Sequence, residues 1–348
     1  MRSKTYVATP PGETIREQLE DRSMSQKELA ARMEMSEKHI SRLINGDVQL
    51  TPDVAMRLEM VLGLPASFWM RLESIYREKL IRVQEENEMD EDLDLLKKIP
   101  YAEMAKNGWV EETRVPKERV RNIRKFFEVV RLGLVLQTVP QIACRKLGEG
   151  EKSDYALVAW AQKAKIEARS IETRPINIEK LVDFLPEIRR MTTQDPSVFC
   201  SKLVEGLKEC GIALVFLPHI GGSFLHGATF YDKSKIVVGM TVRGKDADRF
   251  WFSLFHELGH IVLGHISHVN GTTEEDEGEA DAFARNKLIP EEKFQQFVTS
   301  HRLDADSITS FANEIEIDKG IVVGRLQKED YIPFSTFNFL KTKYKLSS

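Results

Sequence analysis

The sequence predicts a multidomain chain: an all-α helix-turn-helix domain, a helical middle segment, and an α+β domain with a helical C-terminus. Three observations predict it. Residues 25–62 carry three capped amphipathic helical patterns with short breaks between them. Residues 212–240 change to short β-branched and aromatic runs. "FHELGHIVLGH", residues 255–265, sets two histidines four apart with a glutamate after the first.

The 348 residues are too many for one small core. An apolar fraction of 42% and a charged fraction of 30% describe ordinary globular composition. The net charge of −4 gives no global cationic field, so any contact with nucleic acid must be local and patterned. Runs such as "IALVFLP" are far shorter than the ~20 residues of a membrane span, so no membrane partner is expected. "MRSKTYVATPPGETI" lacks the apolar stretch of a signal peptide. Cys144, Cys200 and Cys210 are odd in number and widely spaced. No disulfide framework is implied, and a cytoplasmic location is expected.

In the front module Ser25 caps a helix whose Leu29, Ala30 and Met33 face inward. A break at Glu34–Met35 follows. Ser36 caps a second helix that buries Ile40, Leu43 and Ile44 and stops at Asn45–Gly46. Thr51 and Pro52 open a third, with Val54, Leu58, Val61 and Leu62 inward. Two short helices joined by a short turn, with the small Ala30 at their crossing, make a helix-turn-helix. Glu37, Lys38, His39, Ser41 and Arg42 are then the candidates for base edges, with Ser36 at the helix start. Gln26 and Lys27 are candidates for phosphate. A bundle used only for protein contacts is the alternative, disfavoured by five Lys/Arg against three Glu over residues 22–46.

The phrases "PPGETIREQL", "SQKELAARM", "SEKHISRLINGD" and "LTPDVAMRLEMVLG" resemble the Cro/cI (XRE) helix-turn-helix family, in its HigA antitoxin form. The resemblance covers roughly residues 10–80 and implies a homodimer on double-stranded, palindromic operator DNA. Glu34 departs from it, standing where the family has a turn glycine.

Seven acidic residues fall within Glu85–Asp94, read as a solvated helix face or linker. "VRNIRKFFEVV", "DYALVAWAQKAKIEARSI", "NIEKLVDFLPEIRRM" and "SVFCSKLVEGLKECG" are helical patterns with core-type stripes. "IALVFLP", "FLHGATFY" and "KIVVGM" then read as a small sheet leading into a helix from about Asp246 to Gly264.

On that helix His256 and His260 project one way and suit zinc. Glu257 lies about 100° around, placed to take a proton from water that the metal acidifies. "EDEGEADAFARNKLIP" supplies a second helix with Glu277, Ala280, Asp281, Ala284 and Leu288 on one face. That geometry selects Glu277 as third ligand over Glu279, which points away. Asp281 is placed to accept a histidine's other N–H. His226, Tyr231, His265 and His268 are candidates for oxyanion or substrate contact.

"FSLFHELGHIVLGH" and the E-x-x-A-D-x-F-A-x-x-x-L-x-P stretch at 277–290 resemble the ImmA/IrrE metallopeptidase family, over about residues 169–290. The resemblance implies a zincin-like fold and a Zn2+ endopeptidase acting on regulatory proteins. It assigns His256, His260 and Glu277 as ligands and Glu257 as base. The expected domains are 1–80, 81–168, 169–295 and 296–348, the last packed on the peptidase domain. Arg325, Lys328, Lys341, Lys343 and Lys345 make that last segment mildly basic.

Two functions follow. One is a DNA-binding regulator whose zinc endopeptidase cleaves a repressor, a toxin or itself. The alternative is a non-catalytic antitoxin and autorepressor whose rear domain senses or binds a partner.

Overall fold

The computed structural model describes residues 2–3, 6–138, 151–221, 227–241, 246–268, 272–300 and 302–344, the side chains of 90, 138, 151–153 and 300 excepted. The chain forms two compact units, Met1–Asp94 and Leu95–Ser348.

In the first unit α1 (Gly12–Asp21), α2 (Gln26–Arg32), α3 (Glu37–Ile44) and α4 (Pro52–Leu62) are followed by α5 (Ala66–Leu96). The side chains of Ser25, Ser36 and Thr51 accept from the N–H of Glu28, His39 and Val54, so each of α2, α3 and α4 has its expected cap. The turn between α2 and α3 passes through Glu34 at φ +52°, the left-handed region where glycine is easier. Ile15, Leu29, Met33, Ile40, Leu58 and Trp69 make the core. α1 crosses α3 at Gly12, where a Cβ would fall 1.8 Å from the Ile44 carbonyl oxygen.

The acidic run lies within α5, and Met89 and Asp92 are buried there. It is helix, not linker, and the expected boundary at residue 80 falls inside α5.

The second unit begins with α6 (Tyr101–Lys106), α7 (Pro116–Phe127), α8 (Val135–Thr138), α9 (Glu151–Ala168), α10 (Ile178–Arg190) and α11 (Pro196–Glu209). Strands β1 (Ile212–Phe216), β2 (Gly227–Asp232) and β3 (Lys235–Met240) follow. Then come α12 (Ala247–Val262), α13 (Glu274–Leu288), α14 (Glu291–Ser300), α15 (Ala305–Glu314) and α16 (Lys319–Lys328).

The sheet order is β1-β3-β2; β3 runs parallel to β1 and antiparallel to β2. Central β3 is buried almost throughout, so its run of apolar residues does not alternate. Trp160 of α9 lies against β3 at Gly239, where a Cβ would come within 2.6 Å of the indole. One core joins α10, α11, the sheet and α12 to Ile308, Ile321, Val322, Leu326 and Tyr344 from the C-terminal segment. Trp251 Nε1 donates to Tyr344 Oη at 2.9 Å, tying the tail to α12. Arg325, counted among the basic residues of that segment, is buried, while Lys345 lies outside the described residues.

Candidate functional site

In the front unit Gln26, Lys27, Ser36, Glu37, Lys38, Ser41 and Arg42 are exposed, at the start of α2 and along α3. The amphipathic spacing that buries Ile40, Leu43 and Ile44 turns Lys38, Ser41 and Arg42 outward. His39 departs from the expectation. It is half-buried, and its Nε2 is buried without a hydrogen-bond partner, because its place on the helix leans toward the core.

In the rear unit α12 buries Phe250, Trp251, Leu254, Phe255 and Leu258, which fixes its rotation about its own axis. α13 starts with a capping box between Thr273 and Asp276. The two helices approach closely at Gly259, where a Cβ would lie 3.4 Å from the Ala280 Cα. That contact brings Glu277, one turn before Ala280, over the histidines. His256, His260 and Glu277 each offer a ligand atom, all within 4.8 Å of one another. His256 Nε2 and His260 Nε2 are 3.0 Å apart. Glu277 Oε2 is 3.4 Å from the first and Oε1 is 3.5 Å from the second. Ligands 2.0–2.1 Å from a tetrahedral zinc stand about 3.3 Å from each other, so the spacing fits.

The outer hydrogen bonds fit as well. Asp281 Oδ1 is 2.8 Å from His256 Nδ1 and accepts its proton. His260 Nδ1 is 3.1 Å from His265 Nδ1, and His265 Nε2 is 3.2 Å from Glu279 Oε2. Glu279 accepts the His265 Nε2–H, so His265 Nδ1 accepts the His260 Nδ1–H. Both inward Nε2 atoms then carry lone pairs. Two lone pairs at 3.0 Å require a proton or a metal cation between them.

The electrostatics of the site agree. Burial opposes charge on His256, but hydrogen bonds to Asp281 and Glu277 prevail and push it up to about 10. Burial and the charge of His256 hold His260 well below the usual imidazole range. Burial raises Glu257 to about 7, against the charge of His256 and a hydrogen bond from Thr229. That bond, Thr229 Oγ1 to Glu257 Oε2, is 2.6 Å long and buried. The other carboxylate oxygen faces Gly227, where a Cβ would sit 2.7 Å from Oε1.

Strand alternation puts Gly227, Thr229 and Tyr231 on one face of β2, toward Glu257, with Tyr231 exposed. One expectation is corrected. His265 does not reach substrate: it is buried behind His260, on the side of the ring away from the ligand atoms. Glu279 is exposed and stays outside the ligand group, but the Gly264 turn (φ +83°) folds His265 back against it. His268 is engaged by Asp276 at 3.0 Å, in the α13 cap. His226 lies outside the described residues. Thr229 and Asp276 escaped sequence reasoning, and Glu279 entered it only as the ligand set aside. The alternation of β2 could have marked Thr229, but a threonine in a strand reads as an ordinary β-former.

Two family models match separate stretches of the chain, one in each compact unit. A helix-turn-helix model matches residues 15–69, and an IrrE N-terminal-like domain model, from a peptidase family, matches residues 230–327. The HTH-type transcriptional regulator YddM of Escherichia coli (strain K12) is 35% identical over 66 residues, spanning 19% of this chain and 70% of the relative. This chain belongs to the helix-turn-helix regulator family. It also carries an IrrE-like peptidase domain, a family that implies a metal. The second match runs from within β2 into α16.

Proposed function

We propose that this helix-turn-helix regulator carries a working Zn2+ endopeptidase that cleaves a regulatory protein: a repressor, a toxin or the chain itself. The convergence of His256 Nε2, His260 Nε2 and Glu277 carries the reading, because their outer hydrogen bonds leave lone pairs aimed at one point. His256, His260 and Glu277 would hold the zinc. When bound, zinc acidifies water and polarises a carbonyl. Glu257 is the general base: Thr229 holds Oε2, which leaves Oε1 to take a proton and later return it to the leaving amine. Burial keeps that carboxyl near neutral affinity for the proton. β2 is an edge of the described sheet, suited to an extended substrate segment added alongside, with Tyr231 on the same face for substrate or oxyanion contact.

The front unit binds operator DNA through Lys38, Ser41 and Arg42 at base edges and Gln26 and Lys27 at phosphate. His39 serves packing. Met56 and Met60, exposed one turn apart on α4, support a homodimer contact. The organisation fits a regulator of the cell interior, and an antitoxin role remains one form of it.

Elemental analysis of wild type, His260→Ala and Glu277→Gln tests the centre. About one zinc per chain, lost in both variants, is the expected result; a wild type that takes up no zinc overturns it. Glu257→Gln then separates the two functions. Regulation altered with zinc and DNA binding intact supports proteolysis, and unaltered regulation supports a binding module.

A further inference from the structure

A cavity of about 630 Å³ opens on the other side of Asp281, walled by α12, α13, α16 and the loop at 334–338. Its size lies within the ~300–1,000 Å³ of small-molecule sites. Three kinds of group face it. Arg285, Lys328 and Lys343 line it, and none has a carboxylate within ion-pair distance among the described residues. Asp248 lines it too, only 3% exposed; its Oδ2 is held by Lys341 at 2.8 Å, while its buried Oδ1 has no partner. Phe334 offers an exposed ring at the wall.

The wall is preorganised. Gln327, itself buried, donates to the Phe334 carbonyl at 3.2 Å and the Thr336 carbonyl at 2.8 Å. α16 comes so close at Gly324 that a Cβ would be 2.5 Å from Asp248 Oδ2. A buried acceptor lacking a donor is costly. Unpaired cations attract an anion, and an exposed ring offers a face for stacking. A ligand that meets all three demands carries a phosphate, hydroxyl or amino donors, and a flat ring.

We propose that this cavity binds a mononucleotide, with the phosphates on Arg285, Lys328 and Lys343, a hydroxyl or amine on Asp248, and the base against Phe334. Asp281 lines the cavity and also holds His256 Nδ1. A nucleotide that occupies Arg285 and Lys328 withdraws their positive field from Asp281 and leaves its carboxylate to His256. Nucleotide and zinc then bind with mutual enhancement, by the same factor in each direction. This coupling rests on the metal reading; the binding itself does not.

The test is calorimetric titration of the full chain, stripped with chelator, using ADP, adenosine and inorganic phosphate as probes. ADP is expected to bind, with adenosine and phosphate each at least about tenfold weaker. Lys328→Gln with Arg285→Gln is expected to weaken ADP at least about tenfold, while the exposed Lys202→Gln leaves it unchanged. No binding of ADP up to about 1 mM overturns the proposal, as does phosphate binding as well as ADP or a double variant binding like wild type. Should circular dichroism show the double variant unfolded, the single Lys328→Gln, at an exposed position of α16, carries the same test. Repeating the titration with zinc present tests the coupling separately: equal ADP affinity with and without zinc ends the coupling and leaves the site standing.

Discussion

Thr229 Oγ1 donates a buried 2.6 Å hydrogen bond to Glu257 Oε2, linking the edge strand to the carboxylate beside the paired histidines. The bond favours the charged carboxylate and works against the burial that raises it. Thr229→Val is therefore expected to raise the acid-limb midpoint of the pH–rate profile and to slow turnover about tenfold or more. Peptide cleavage followed from pH 5 upward checks this. A lower rate with an unmoved midpoint would reduce Thr229 to a packing residue.

Asp281 fixes the His256 ring through Nδ1, and His265 does the same for His260. Asp281→Asn and His265→Ala are each expected to weaken zinc about 10- to 100-fold. Competition with a coloured chelator reads the change. Unaltered affinity in both would mean that the outer hydrogen bonds do not set the tautomers.

The metal-free protein is expected to lose stability as pH rises. His256 is raised to about 10, so its contribution is whole below its ordinary 6.5 and is lost as pH climbs through 10. Glu257 is raised to about 7, so its proton favours the fold below its ordinary 4.5 and that favour is lost as pH rises through 7. His260 is lowered and runs the other way, losing its contribution only as pH falls below its ordinary value. Urea midpoints measured with chelator should therefore be lower at pH 9 than at pH 6.5. Added zinc should flatten the difference, since a cation replaces the proton between the rings.

Arg325 is 1% exposed and is gripped by Glu291, by Glu329 at 2.8 Å and by the Ile289 carbonyl at 2.7 Å, over the ring of Phe294. Truncation leaves these acceptors unpaired. Arg325→Ala is expected to destabilise the rear unit by about 3–5 kcal/mol, read by denaturant unfolding. A change below about 1 kcal/mol would show that water replaces the guanidinium.

In the front unit, Glu34 at φ +52° occupies a conformation that glycine adopts more easily. Glu34→Gly is expected to stabilise the unit by up to about 1 kcal/mol without changing operator affinity. Gly12→Ala is expected to do the reverse, since its new carbon meets the Ile44 backbone. Thermal melts of both variants give the sign.

Local signals determined a large part of this protein. Ser25, Ser36 and Thr51 announce the starts of their helices because capping is an interaction between residues three apart. His256 and His260 share a face because the helical repeat puts them one turn apart, and Glu277, Ala280 and Ala284 follow the same rule on α13. Periodicity, caps and motif spacing all live within one element, so the sequence carries them in full. The placement of separate elements does not. Whether Glu279 meets His265 depends on the turn at Gly264; whether Thr229 meets Glu257 depends on β2 lying over α12. The burial of the His39 Nε2, the run of acidic residues inside α5 and the cavity behind Asp281 likewise arise from packing. The sequence alone determined which residue types stand at which helical positions. Only the tertiary structure decided which of them meet, because contacts between distant segments are set by how whole faces pack.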